Sequence, residues 1–134
     1  MAIMKNPQLA IATDRAQDKA TVTVVCDVEF TEFEVNAMNL LGLRYSLHCE
    51  LLDMDMLYVP ADVPFRELEF PAIGRAAVMH ERAELEAEAA MRVLHRFIFG
   101  KDSLVAELTL RNEETGVATI SRSDVVRVDL APLA

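Results

Sequence analysis

The residue types best suited to nucleophilic chemistry are His48 and Cys49, which are adjacent in the sequence. They lie in a run where Leu47, Cys49 and Leu51 alternate with polar residues, and this period of two predicts a β-strand. Neighbouring side chains of a strand point to opposite faces of the sheet, so the thiol and the imidazole cannot hydrogen-bond as a dyad. The pattern therefore predicts that Cys49 lies in the core and that His48 points outward.

A second chemical pattern is His80-Glu81, which begins like the H-E-x-x-H helix of zinc proteases. The next ligand position holds Glu84, and no second histidine completes the pair of zinc ligands. The segment fits better as the solvated face of a strand that carries Arg82, Glu84, Glu86 and Glu88. His95 stands in a connection, and the sequence offers no partner for it.

Aspartates follow the strand pattern that contains His48. Asp53 and Asp55 come directly after it, and Asp62 and Asp102 lie in other predicted loops. Loop carboxylates supply hard oxygen ligands for calcium, and this D-x-D pattern in a β-rich chain resembles the calcium loops of C2-type sandwiches. Aspartate is also common in turns for structural reasons. Ordinary turn residues are therefore the favoured interpretation, a calcium site is the alternative, and no metal ligand is assigned.

The motif content disfavours several other kinds of site. The four glycines, at positions 42, 74, 100 and 116, lie far apart, whereas a P-loop or a dinucleotide fingerprint needs clustered glycines so that the backbone can approach phosphate. No G-x-S-x-G motif is present. Met54 and Met56 are candidate soft copper ligands, but without His or Cys beside them they fit better as core-filling residues. No catalytic residue and no cofactor follow from the sequence.

The composition limits the expected partners. The chain has 134 residues, of which 52% are hydrophobic, and a net charge of −9, which fits one domain with a substantial core. Nucleic acids and anionic membranes attract clustered Lys and Arg, and the 13 basic residues are scattered, so neither is an expected partner. No apolar run is long enough for a membrane span. Residues 1–20 lack the apolar stretch of a signal peptide, so we expect a cytoplasmic protein.

The two cysteines, Cys26 and Cys49, are too few for a disulfide framework or a zinc site. Both lie on the apolar phase of predicted strands. A bridge between them is conceivable if those strands are neighbours, and buried free thiols are the expected state in the cytoplasm.

The clearest structural pattern runs from Ser103 to Leu130. Its first half alternates apolar and polar residues, with one apolar phase formed by Leu104, Ala106, Leu108 and Leu110. Residues 112–116 supply turn chemistry, and the chain then returns as a second, interrupted strand. Two further strands are predicted from alternation at residues 21–30 and 43–51.

A helix is predicted between those two strands, at residues 32–41. Thr31 and Glu34 have the spacing of a capping box, and Gly42 is placed to end the helix. Four apolar residues share one helical face: Phe33, Ala37, Leu40 and Leu41.

The segment that follows the second of these strands has weaker patterns. Residues 53–64 predict a loop with a short strand at 56–59, and Pro60 and Pro64 confine this part to a sheet edge. Residues 65–70 predict another strand.

Residues 80–96 allow two interpretations. Apolar and charged residues alternate from 82 to 89, which favours a strand, whereas the high content of Ala, Glu and Leu favours a helix. We prefer the strand because no capping residue stands where the helix would begin.

These assignments give six or seven strands separated by turns, without a repeated βαβ pattern. They predict a mainly β fold, an antiparallel two-layer β-sandwich with one short helix between the first two strands. Residues 1–20 are polar and aperiodic, and we expect a flexible N-terminal arm there, followed by a single β-sandwich domain at 21–134.

Three classes of function remain. The leading hypothesis is a non-enzymatic interaction or assembly module that associates with itself or with another protein. It depends on apolar residues at outward strand positions, namely Val25, Leu52, Val105, Val117 and Val125. A ligand-binding sandwich, with calcium at Asp53 and Asp55 or a small molecule between the sheets, is the second hypothesis. An enzyme is the third, because no nucleophile–base pair or metal triad can be assigned.

Overall fold

The computed structural model describes residues 1–56, 59–61, 63–95 and 100–131. They form nine strands and two helices, which confirms the predicted mainly β, sandwich-like fold. The strands are β1 (Ile3–Asp14), β2 (Lys19–Glu29), β3 (Tyr45–Asp53), β4 (Val59–Ala61), β5 (Leu68–Phe70), β6 (His80–Ala90), β7 (Asp102–Asn112), β8 (Ala118–Arg122) and β9 (Val126–Val128). The helices are α1 (Glu32–Leu41) and the four-residue α2 (Met91–Leu94).

The strands form two antiparallel sheets. The first sheet has three strands in the order β1-β2-β6. In the second sheet β3 and β7 are central, β4 and β5 both pair with β3, and β8 and β9 both pair with β7. Alternation along β2, β3 and β7 sends one phase of side chains into a single core between the sheets. The fully buried members include Val22, Val24, Val28, Leu47, Leu51, Leu104 and Leu108.

The predicted flexible arm is wrong, because most of residues 1–20 belong to β1 and to its hairpin with β2. Leu9 and Ile11 are partly buried against the core. Their alternation with small residues is short, and the register shifts between Lys5 and Gln8, which hides the pattern in the sequence. The strand is held by its hairpin partner β2 and by packing on the core, and its own short pattern does not reveal either contact.

The strand interpretation of residues 80–90 is confirmed. β6 pairs with β2 in unbroken register over its full length, and its inward side chains Ala83, Leu85 and Ala87 are buried. The short helix α2 follows directly, so the segment contains both predicted kinds of structure in succession. A helix through 80–90 would leave β2 without its second neighbour.

The proline-containing segment lies at a sheet edge, as predicted. Pro60 belongs to β4, which among the described residues has β3 as its one neighbour. Of the strand predicted at 56–59, Met56 lies in a short 3-10 helix (Met54–Met56), residue 59 begins β4, and residues 57 and 58 lie outside the described residues. The strand predicted at 65–70 is shortened to Leu68–Phe70. Asp62, one of the candidate calcium ligands, lies outside the described residues.

Two of the predicted outward apolar residues are in fact buried. Leu52 and Val105 are 4% and 3% exposed. They pair with each other across β3 and β7, and Leu52 also pairs with Pro60 of β4. Leu52 therefore lies between two neighbouring strands. Val25 is half-buried, while Val117 and Val125 are exposed as predicted. The outer strand faces therefore carry less free apolar surface than the sequence suggested.

Candidate interaction surfaces

Helix α1 begins and ends where the sequence predicts. The Thr31 hydroxyl accepts from the Glu34 backbone N–H at 3.2 Å, and the Glu34 carboxylate accepts from the Thr31 N–H at 2.8 Å, which completes the capping box. Gly42 ends the helix with φ +75°, a left-handed conformation that glycine adopts without steric cost. The local signals therefore define the length of the helix.

A buried polar contact orients α1 on the sandwich. Glu34 is a buried residue of α1, and its Oε2 accepts a hydrogen bond of 2.5 Å from the Tyr45 hydroxyl at the start of β3. The amide of Asn112 lies 3.5 Å from the same hydroxyl. This contact connects the helix to both central strands of the second sheet.

The pKa values of this pair support an ionised carboxylate beside a neutral phenol. Burial alone raises the pKa of Glu34, but hydrogen bonds from the Thr31 backbone and the Tyr45 hydroxyl outweigh that effect, so the pKa is lowered overall. Burial raises the pKa of Tyr45, and the negative charge of Glu34 raises it further. A charge-assisted hydrogen bond of this kind is among the stronger ones in proteins.

Most of the apolar face of α1 does not pack on the sandwich. Ala37 is buried, but Phe33, Leu40 and Leu41 are 80%, 80% and 83% exposed. The residues that α1 buries are Glu34, Ala37 and Met38. Because Glu34 binds Tyr45, the helix turns its polar residue inward and leaves Phe33, Leu40 and Leu41 outside; we call these three the apolar surface of α1.

The helix that carries this apolar surface also contacts the segment after β5. Phe33 and Leu40 are seven residues apart, about two helical turns, so they lie on the same side of the helix. Asn39 holds the segment that follows β5, because its amide donates to the Ala77 carbonyl at 3.3 Å and its carbonyl accepts from the Ala77 N–H at 2.8 Å. Exposed apolar side chains that share one side of a helix, as Phe33 and Leu40 do, are typical of protein–protein contacts.

The aspartates of the calcium hypothesis gather at one end of the second sheet. Asp53 ends β3 and Asp102 begins the neighbouring β7, and both are fully buried. The Oδ1 of Asp53 accepts from the backbone N–H of Asp55 at 3.0 Å, and the Oδ2 of Asp55 accepts from that of Ser103 at 3.0 Å. Within residues 1–56, 59–61, 63–95 and 100–131, no group of three or more His, Cys, Asp or Glu has the arrangement of a metal site.

His95 has a partner that the sequence did not reveal. Its Nδ1 lies 2.8 Å from Oδ2 of Asp102, and its side chain is mostly buried. The two residues are seven positions apart in the sequence, and the folded chain brings their side chains together. The pair anchors the end of α2 to the start of β7.

His48 and the two cysteines are arranged as the strand geometry predicts. His48 is exposed and Cys49 is buried, on opposite faces of β3. Cys26 is also buried, in the other sheet, and both thiols are free. Burial raises the pKa of Cys26 to about 11 and that of Cys49 to about 12, so neither thiol forms a thiolate readily near neutral pH.

A shallow polar groove of about 360 Å³ lies on the outer face of the second sheet. It is lined by Ser46, His48, Glu67, Thr109, Arg111 and Glu113. The Ser46 hydroxyl donates to the Glu113 carboxylate, and His48 lies 3.6 Å from Glu50. The serine and the histidine are thus directed to different carboxylates and do not form a nucleophile–base pair.

The residues of the zinc-like pattern lie along the exposed face of β6. His80 Nδ1 is 3.5 Å from Glu29, a residue of the neighbouring strand. Farther along, Glu88 forms an ion pair of 2.8 Å with Lys19, which raises the pKa of that lysine. This confirms the predicted solvated strand face.

Comparisons with known proteins do not identify a family. No protein-family model matches the chain, and no curated protein matches it. A crystal structure of a Bordetella pertussis protein provisionally named ApaA covers 96% of this chain and 90% of its own, with 10% identity and a TM-score of 0.34. A score this low indicates neither a shared fold nor a shared function. Among the described residues, no helix is both long and apolar enough to cross a membrane.

Proposed function

We propose that this protein is a non-enzymatic assembly module that associates with a second copy of itself through the apolar surface of α1. The observation that carries the proposal is the exposure of Phe33, Leu40 and Leu41, each at least 80% exposed on a helix of ten residues. Burying such side chains stabilises an interface by roughly 25 cal/mol per Å² of apolar area.

The attachment of α1 favours this use of the helix. The capping box, the Glu34–Tyr45 hydrogen bond and the Asn39–Ala77 contacts hold the helix in one orientation. A surface that is already ordered loses little conformational entropy when it binds. Packing α1 against α1 of a second copy about a two-fold axis is the simplest closed arrangement, because one patch then serves both subunits.

We further propose that the module works in the cytoplasm. Its two cysteines are buried free thiols, a state that a reducing compartment preserves.

Light scattering on the purified chain and two aspartate variants tests the proposal. We expect the wild type to have twice the chain mass of 15.0 kDa and Leu40→Asp to have the chain mass itself, because a charge in the apolar contact is unfavourable. Ile120→Asp is the matched control, since Ile120 is an exposed apolar residue of β8 on the outer face of the second sheet.

The control also separates α1 from the outer strand faces as the site of contact. A monomeric Ile120→Asp variant beside a dimeric Leu40→Asp variant would assign the interface to the second sheet and contradict the proposal. A wild-type mass near 15.0 kDa that persists as concentration rises would remove self-association altogether. Circular dichroism of each variant confirms that the compared proteins are folded.

A further inference from the structure

Strand β6 forms a free edge of the first sheet. Among the described residues its one strand neighbour is β2, which lies on one side of it along all eleven residues. Within the described part of the chain, no backbone hydrogen bond joins residues 81–90 to a segment on the other side. Because alternate residues of an antiparallel strand bond to a given neighbour, about half of the backbone groups of β6 point away from β2.

The opposite edge of the same sheet, β1, carries a bulge and a proline, and β6 has neither. In β1 the register shifts between Lys5 and Gln8, Asn6 has φ +52°, and Pro7 lacks a backbone donor. Bulges and prolines of this kind prevent an edge from pairing with another strand. β6 contains neither proline nor glycine and keeps an unbroken register, so its edge is regular enough to receive a further strand.

The exposed side chains of β6 favour an added strand that carries positive charge. Glu84 and Glu86 are exposed, and their neighbours on β2 are the uncharged Val25 and Thr23. Of the basic residues on the same face, Lys19 pairs with Glu88 and Lys5 with Glu29, and Arg82 is exposed two positions before Glu84. A strand added at the free edge would therefore meet one arginine followed by the carboxylates of Glu84 and Glu86, where opposite charges stabilise cross-strand pairs.

The longest pairings disfavour a second copy of β6 at this edge. In the antiparallel registers centred on residues 84 to 86, which pair nine to eleven residues of β6, Glu84 lies opposite another glutamate, and like charges at opposed positions are destabilising. A shorter register centred on residue 83 would set Glu84 opposite Arg82, but the net charge of −9 still opposes the approach of a second copy. The occupant that we propose for the β6 edge is therefore a different chain from the second copy that we place on α1.

We propose that the free edge of β6 binds an extended segment of a partner protein that carries Lys or Arg at alternate positions. The segment would continue the first sheet as a fourth strand. Its backbone would bond to the outward groups of β6, and its basic side chains would lie beside Glu84, Glu86 and Glu88. This proposal goes beyond the assembly function and uses a different surface, so either can fail alone.

A synthetic peptide of alternating Lys and Thr, roughly nine residues long to match a strand, serves as the probe. Calorimetry measures its binding to the full chain at low salt, and amide hydrogen exchange locates the contact. Two further peptides with the same charge are N-methylated, one at the Lys positions and one at the Thr positions. Only one of these two sets faces β6 in an added strand.

We expect the unmodified peptide to bind and to slow exchange in β6. One N-methylated peptide should bind and the other should not. Glu84→Gln combined with Glu86→Gln should weaken binding about three- to tenfold. The matched control is Glu67→Gln combined with Glu114→Gln, which removes the same charge from exposed positions elsewhere, and it should leave the affinity unchanged.

Equal binding of both N-methylated peptides would overturn the proposal, because it would show charge attraction without strand addition. Equal weakening by the two pairs of glutamine substitutions would overturn it for the same reason. Failure of the unmodified peptide to bind, with the wild-type chain folded by circular dichroism, would also overturn it.

Discussion

At the scale of single residues, Glu34 has two roles that the sequence presents as one. Its spacing from Thr31 marks it as a capping residue, and its carboxylate does accept the Thr31 N–H. The other oxygen of the same carboxylate accepts from Tyr45, inside the protein. A residue that reads as a local helix signal therefore also decides which side of α1 faces the sandwich.

Replacing this carboxylate should remove a pH-dependent part of the stability. The pKa of Glu34 is lowered in the folded protein, so its stabilising effect is complete above the unfolded-state pKa, near 4.5, and is lost as the pH falls through the folded-state pKa. In Glu34→Gln we expect a lower melting temperature near neutral pH and a smaller loss on acidification. Melting curves between about pH 3 and pH 7 measure both, since this range brackets ordinary carboxylate pKa values.

Glu114→Gln is the control for that experiment, because Glu114 is an exposed turn residue. It should melt like the wild type at each pH. If Glu34→Gln loses as much melting temperature on acidification as the wild type does, the assigned role of the Glu34 carboxylate is contradicted.

The aspartates at the end of β3 have structural contacts of their own. Asp53 and Asp55 each accept a backbone N–H, so binding calcium would compete with bonds already made. We expect that millimolar calcium raises the melting temperature no more than magnesium at the same ionic strength. A saturable rise that Asp53→Asn abolishes would instead demonstrate a calcium site, because stabilisation by a ligand follows its occupancy of the folded state.

At the scale of elements, local contacts fix the ends of α1, whereas packing fixes which side of α1 faces the sandwich. Thr31 and Gly42 set its ends through backbone contacts within the adjacent turns. The direction that it faces depends on Tyr45 and Ala77, which belong to other elements. The apolar residues of α1 share a helical face as the spacing predicts, but Phe33, Leu40 and Leu41 do not pack on the sandwich.

The capping contact gives a prediction for this element. Thr31→Ala removes the hydroxyl that accepts from the Glu34 N–H, and should lower the free energy of unfolding by about 1 kcal/mol. Thr31→Ser retains the hydroxyl and should be nearly silent. Urea unfolding of the three proteins measures the difference, and equal midpoints for all three would show that the cap contributes nothing to stability.

At the scale of the whole molecule, the net charge of −9 affects the two proposed interactions in opposite directions. Two copies of an acidic chain repel each other, and salt screens that repulsion. A basic strand on β6 is attracted by the same charge, and salt weakens that attraction. The ionic strength is therefore a variable that distinguishes the two surfaces.

We expect the dimer dissociation constant to fall when sodium chloride is raised from about 0.05 M to about 0.5 M, a change that shortens the screening length well below 10 Å. Sedimentation equilibrium at both salt concentrations measures the constant. A dimer that dissociates as salt is added would indicate a contact made by charges, and would contradict an interface formed by Phe33, Leu40 and Leu41.

The sequence alone predicted the elements whose signals are local. Alternation identified β2, β3, β6 and β7, because the phase of each side chain on a strand depends only on its position in the chain. The same reasoning placed His48 and Cys49 on opposite faces, while the capping residues Thr31 and Gly42 defined the ends of α1. These features, together with the absence of a repeated βαβ pattern, were sufficient for the mainly β fold.

The tertiary structure alone decided which surfaces remain free. β1 is a strand because it pairs with β2 and packs on the core, and α1 exposes Leu40 because Glu34, on another side of the helix, binds Tyr45. Among the described residues β6 has β2 as its one strand neighbour, which leaves its other edge free. Each outcome depends on contacts between elements, which the pattern of one segment does not show. Periodicity reports which residues share a face, but only the packed fold determines what covers that face.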